Sequence, residues 1–168
     1  MKNLIQRLES LAEFTGRMVA WGTLLMVLIT FAVVVLRYAL DTGWIAMQES
    51  ITYLHALVFM LGAAYTLKHH GHVRVDIFYQ KFSRRGRAWV DLLGTLLLLF
   101  PLMGFIFWIS WEYVVESWKV FEGSREAGGL PGVFLIKTLL LLMPVTMLLQ
   151  GLALALRSWQ AIRGGRHG

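Results

Sequence analysis

The chain has 168 residues, 57% of them hydrophobic and 15% charged, with a formal net charge of +6 and no cysteine. Lack of cysteine excludes disulfides, thiolate metal sites and thiol-redox chemistry, quinone-linked disulfide oxidases included. Two α-helical hairpins with short loops use up this length, so no soluble domain with its own core is expected.

Four stretches without a charged residue dominate the chain: Met18–Leu36, Ile51–Leu67, Leu92–Trp111 and Thr138–Leu156. Each runs about 17–20 residues, the length a helix needs to cross a hydrocarbon core of about 30 Å. Lipid offers no partner for a backbone N–H or C=O, so each stretch must close its own hydrogen bonds as a helix. The expected fold is an all-α integral membrane protein, one domain over 1–168, with transmembrane helices at about 18–40, 49–68, 89–112 and 132–157.

Residues 1–17 read as a separate interfacial amphipathic helix. Leu4, Leu8 and Leu11, with Ile5 and Ala12, share one stripe, and Lys2, Gln6, Glu9, Glu13 and Arg17 fall elsewhere. The first span exceeds the apolar core of a signal peptide and is read as a retained helix. Trp21 and Tyr38 lie near its two ends, where aromatic rings favour the headgroup layer. The short connection Asp41–Gln48 makes spans one and two antiparallel neighbours, with Trp44 as an interface anchor. Arg37 and Glu49, at the facing ends of these spans, are candidates for an ion pair with each other or with a partner subunit.

His55 is the one Asp, Glu, Lys, Arg or His residue inside the four stretches. It has no axial partner at matching depth for a haem and reads as a hydrogen-bonded packing histidine. His69, His70 and His72 lack the spacing of a zinc site and read as part of an interfacial loop. After Val73 an amphipathic segment leads to span three, which is expected to bend at Pro101 and to break before Gly123. The second outer loop, Glu112–Pro131, is acidic and carries Glu122, Ser124, Arg125 and Glu126, with Lys137 entering span four just beyond it.

Basic residues are uneven. Lys2, Arg7 and Arg17 precede span one; Lys68, Arg74, Lys81, Arg84, Arg85 and Arg87 lie between spans two and three; Arg157, Arg163 and Arg166 follow span four. The positive-inside rule then places both termini and the central loop in the cytoplasm. These bases are accounted for by topology and anionic membrane lipids, not by nucleic acid. Nothing resembles a nucleophile–base pair, a phosphate loop or a paired intramembrane carboxylate, so no enzyme activity is expected. Gly22, Gly94, Gly104, Gly151 and Ala153 are candidate points of close helix contact.

The string Gly71-His72-Val73-Arg74-Val75-Asp76, directly after span two, resembles the signature of the small membrane subunit of tripartite ATP-independent periplasmic (TRAP) transporters, the DctQ-like family. Arg37-Tyr38, Trp44 with Glu49, Gly62-Ala63-Ala64-Tyr65, Ser124, Glu126, Leu130-Pro131 and Lys137 agree in order and position. Gly128-Gly129 departs from the bulkier residues usual there. The resemblance implies an inner-membrane subunit that packs beside a large many-span subunit of the elevator type and helps dock a periplasmic substrate-binding protein. It implies sodium-coupled uptake of an organic acid, with the sodium sites in the large subunit and no cofactor in this chain. Arg37, Asp41, Trp44, Glu49, Glu122, Ser124, Arg125, Glu126 and Lys137 are its candidate partner-binding residues. An alternative reading is a stand-alone small multidrug-type exporter acting as a dimer. That mechanism needs an ionisable residue in an early span, and Met18–Leu36 has none.

Overall fold

The computed structural model describes residues 2–72 and 76–164. Those residues form six α-helices: α1 (Lys2–Ala39), α2 (Ile45–Lys68), α3 (Asp76–Tyr79), α4 (Arg84–Gly94), α5 (Phe100–Lys119) and α6 (Val133–Gly164). A π-helical turn, Thr95–Leu99, joins α4 to α5, so that Arg84–Lys119 is one continuous helix. Four helices are long and apolar enough to cross a membrane, as expected. Both termini and the α2–α4 connection lie at one end, here the terminal end; the connections after α1 and α5 lie at the other, the loop end.

Residues 2–17 are not a separate helix. They continue without a break into the first span, giving a helix of 38 residues, about 57 Å long at 1.5 Å per residue. Its apolar stripe is divided: Ile5 and Ala12 are buried against the rest of the chain, while Leu4 and Leu11 remain exposed. Ionic contacts hold this extension in place. Glu13 takes Arg17 at 2.9 Å, Lys68 at 2.6 Å and His69 at 2.9 Å, and Glu9 takes Arg157 at 2.5 Å. The N-terminal segment is thereby tied to the ends of both α2 and α6.

The buried face of α6 explains how four apolar helices find one arrangement. Helices in lipid gain little from hydrophobicity and associate where small residues let backbones approach. Gly151, Ala153, Ala155 and Ser158 are buried there, along with Pro144, Met147 and Gln150. α6 packs on α2, α4 and α5, and also touches α1, whose main neighbour is α2. Ala12, Ala64, Met103 and Met147 make one cluster, and Ala88, Leu92, Ala155 and Ile162 a second.

Just before Pro101, where a bend is expected from the sequence, the helix has its π turn. Proline has no N–H to offer the carbonyl one turn back. The turn widens just before it, with the Phe100 N–H bonded to Thr95 O. Gly151 of α6 sits against Thr95, Leu99 and Phe100 on the widened side. Of the five small residues read as contact points, Gly22, Gly151 and Ala153 meet neighbouring helices, whereas Gly94 and Gly104 face open space. The tightest approach was not among them: a methyl group on Gly16 would overlap Cβ, Cγ and Cδ2 of Tyr65.

That overlap involves the root of the Tyr65 ring, which cannot swing aside. Gly16→Ala is therefore expected to destabilise the α1–α2 pair by about 1–3 kcal/mol, an overpacking cost larger than the gain in helix propensity. Gly104→Ala, in open space, should leave the thermal midpoint in mild detergent unchanged or slightly raised. Equal midpoints for the two variants would show that Gly16 is not the close contact described.

Candidate docking site at the loop end

α2 starts at Ile45, one turn earlier than expected, because Trp44 takes an extended backbone conformation (φ −123°) and caps the helix without a side-chain bond. Glu49 therefore lies in the second turn and points at the connection between α5 and α6. Its carboxylate accepts the Ser124 hydroxyl and, at 2.6 Å, the Leu130 N–H. The same two residues close the loop on itself, Ser124 N–H donating to Leu130 O at 3.0 Å. Inside that ring, Glu126 N–H donates to Ser124 Oγ at 3.1 Å and Gly129 N–H to Glu126 O at 3.0 Å.

The two glycines that depart from the family pattern both have steric causes here. Gly128 is left-handed (φ +79°), a conformation open to glycine at no cost. A Cβ on Gly129 would stand 2.5 Å from Ser124 Oγ and 2.7 Å from Glu49 Oε2. A side chain at Gly128 would strain the backbone, and one at Gly129 would lift the loop from Glu49.

A second carboxylate braces the root of the loop. α5 runs past the apolar stretch to Lys119, short of Gly123 as expected, so the loop proper is 120–132. Beyond the helix Phe121 is left-handed (φ 46°), and Glu122 N–H bonds back to Ser117 O at 3.0 Å. Glu122 O accepts Phe134 N–H at 3.3 Å, and its carboxylate pairs with Lys137. Lys137 Nζ also lies 3.9 Å over the Tyr113 ring, a cation–π contact. Trp118 and Phe121 meet Phe134 edge-on, at 4.7 and 5.6 Å between ring centroids. The Lys137 ammonium, before any other group, holds the Glu122 carboxyl below its ordinary range.

The nine candidate residues thus divide. Glu49 with Ser124 and Glu122 with Lys137 are internal braces; Asp41, Trp44, Arg125 and Glu126 are exposed around them. The Arg37–Glu49 ion pair does not form. Glu49 is taken by the loop, and Arg37, exposed at the end of α1, makes no ion pair among the described residues. Asp41 is the left-handed residue that ends α1 (φ 48°). Reading the sequence missed Leu130 N–H, Tyr113 and Phe134. Only Gly128-Gly129 signalled a tight loop.

At the terminal end, Gly71 N–H closes α2 by bonding Thr66 O at 2.9 Å, with His70 left-handed before it (φ 54°). Gly71 and His72 of the motif are exposed; Val73, Arg74 and Val75 lie outside the described residues, and Asp76 opens α3. His55, read as a packing histidine, is exposed on α2 and stacks only on Phe59, 6.3 Å between ring centroids, with no hydrogen bond among the described residues.

Gly129→Ala is expected to accelerate amide exchange at Ser124 and Leu130 by at least about tenfold while α2 and α6 stay protected. Unchanged protection at those two amides would disprove the brace. The Glu122–Lys137 pair carries a pH signature. A carboxylate whose native pKa is depressed stabilises fully above its unfolded value, about 4.3, and loses that contribution as pH falls through the native value. The difference in thermal midpoint between wild type and Glu122→Gln should stay constant from neutral pH down to that range and close below it. A difference that does not move with acidification would remove the ion pair from the account.

The family model for the DctQ component of tripartite ATP-independent periplasmic transporters matches residues 26–161. No curated protein and no solved structure matches the chain significantly. The match runs from mid-span one almost to the end of α6, and it sets the exporter reading aside. The chain belongs to the DctQ family, an inner-membrane transporter component and not an enzyme.

Proposed function

We propose that this subunit is the stationary scaffold beside the large, elevator-type subunit of a TRAP transporter, and that its loop end helps seat the periplasmic binding protein. In this reading the terminal end is cytoplasmic and both connections of the loop end are periplasmic, in keeping with the uneven distribution of basic residues. One observation carries the docking role. Glu49 of α2 pins the α5–α6 loop at two points, so exposed Arg125 and Glu126 stand on a fixed platform. Pre-ordering a loop lowers the entropy lost when a partner binds. Asp41 and Trp44, exposed on the neighbouring connection, extend the same end of the molecule. The transported solute is an organic acid, chosen by the binding protein and the large subunit. Coupling sodium binds in the large subunit.

Glu122 is an unsuitable probe of docking, since reversing its charge would break the pair with Lys137. Arg125→Glu with Glu126→Lys leaves both braces intact. With the reconstituted complex, this double variant should weaken binding-protein affinity by about tenfold, the scale of a lost rim charge pair. Uptake should fall at limiting binding protein and recover at excess. Unaltered affinity and uptake would reduce both residues to loop solvation.

A further inference from the structure

The outward surface of the bundle in mid-membrane is mostly apolar; exposed Thr30 of α1 donates its hydroxyl to Met26 O of its own helix, and exposed His55 of α2 has no such bond among the described residues. Leu24, Val27, Leu28 and Phe31 are exposed on α1, Leu98, Leu102, Phe105 and Trp108 on the α4–α5 helix, and Leu142 and Val145 on α6. On α2 the exposed stripe is Thr52, His55 and Phe59, at i, i+3 and i+7 on one face. His55 is six residues from Glu49 and thirteen from Lys68, which places it about 9 Å and about 20 Å from the charged rims at 1.5 Å per residue. Those rims are together about 28 Å apart, close to the thickness of the hydrocarbon core. An imidazole at this depth is too short to reach either headgroup layer. It carries one donor and one acceptor when neutral, and acyl chains satisfy neither.

We infer that the Thr52–His55–Phe59 face of α2 is where a transmembrane helix of the large subunit packs, presenting a hydrogen-bonding group to His55 at that depth. Polar residues inside a membrane face protein or a water-filled cavity, not lipid. Among the described residues His55 has Phe59 alone, so the missing partner is taken to come from outside. Phe59 supplies the flat apolar flank, and Thr52 is a second small polar side chain one turn nearer the loop end. The inference rests on membership of a multi-subunit transporter and adds the contact face. It leaves the exposed α1 and α5 faces, which have no such group, to lipid.

The chain has no cysteine, so single-cysteine variants carry a unique label. Thr52→Cys and Phe59→Cys on the α2 face, and Leu98→Cys and Trp108→Cys as controls, are labelled with a small fluorophore. They are reconstituted with lipids bearing a nitroxide quencher in the acyl chain, with and without the large subunit. Labels at 52 and 59 should be quenched in the lone subunit and shielded in the complex; those at 98 and 108 should be quenched in both. His55→Leu should reduce recovery of the large subunit about three- to tenfold, the scale of one interhelical hydrogen bond in lipid, and His55→Gln should restore most of it. Because His55 is exposed, neither variant should shift the lone subunit's thermal midpoint.

Persistent quenching at 52 and 59 in the complex overturns the assignment of the face. Shielding of those labels in the lone subunit that is lost on dilution overturns it in favour of a second copy of this chain. Failure of the wild type to recover any large subunit would instead overturn the scaffold reading itself.

Discussion

The arrangement depends on how closely other helices can approach the buried face of α6. In water, four apolar helices would be driven together by burial; in lipid their tails are no better matched to one another than to acyl chains. What remains is contact at short range, and α6 supplies it with Gly151, Ala153, Ala155 and Ser158. α2 enters on one side and the α4–α5 helix on another, where the π turn before Pro101 opens room beside Gly151. Enlarging this face would push α2 and the α4–α5 helix away from α6. α1 is held differently, by the seating of Gly16 on Tyr65 and by ion pairs at the terminal end.

Charged contacts are confined to the two ends, and each end joins parts of the chain that are distant in sequence. At one, Glu9 and Glu13 of α1 reach Arg157, Lys68 and His69. At the other, Glu49 of α2 holds the α5–α6 loop, and Glu122 holds Lys137. Exposed ion pairs are individually weak. These gain from being partly shielded and from shared acceptors, since the Glu13 carboxylate receives Arg17, Lys68 and His69 at the first end and the Glu49 carboxylate receives two donors at the second. Packing through the middle and ties at both ends leave little freedom for the helices to slide past one another.

Much of the fold was legible because membrane thickness imposes a length on apolar stretches, and all four spans follow from it. The ends were less legible. Helix termini depend on capping: α5 stops at Lys119, and Glu122 N–H finds Ser117 O just past a left-handed Phe121, whereas Gly123 signals only that the helix ends before it. Continuity of α1 through residues 2–17 was hidden because an amphipathic segment looks the same whether its apolar stripe meets lipid or protein; Ile5 and Ala12 meet protein. Glu49 was identified as special but given the wrong partner. Arg37 is its neighbour in the hairpin, whereas Ser124 and Leu130 are brought to it only by tertiary packing. A backbone N–H such as that of Leu130 carries no residue-type signal at all. Gly128-Gly129 did carry one, since a pair of glycines in a short loop marks a left-handed turn or a close approach, and both occur.

An elevator transporter needs one part that stays fixed in the bilayer while another travels across it. A small subunit serves that need if its own helices cannot rearrange and if its polar groups do not compete for the moving ions. Both conditions follow from where charge sits in this chain. Ionic ties join the helices at the ends, and the four apolar stretches contain no Asp, Glu, Lys or Arg. The long α1 extension adds a lever beyond the bilayer, held against α2 and α6 instead of lying free on the surface. His55 is the exception, an imidazole exposed on the outer face of α2. A polar group that is costly in lipid and satisfied against one partner favours that partner's helix over lipid and over a wrong rotation of the subunit about its axis. On the proposed packing, that preference decides which side of the subunit faces the large subunit.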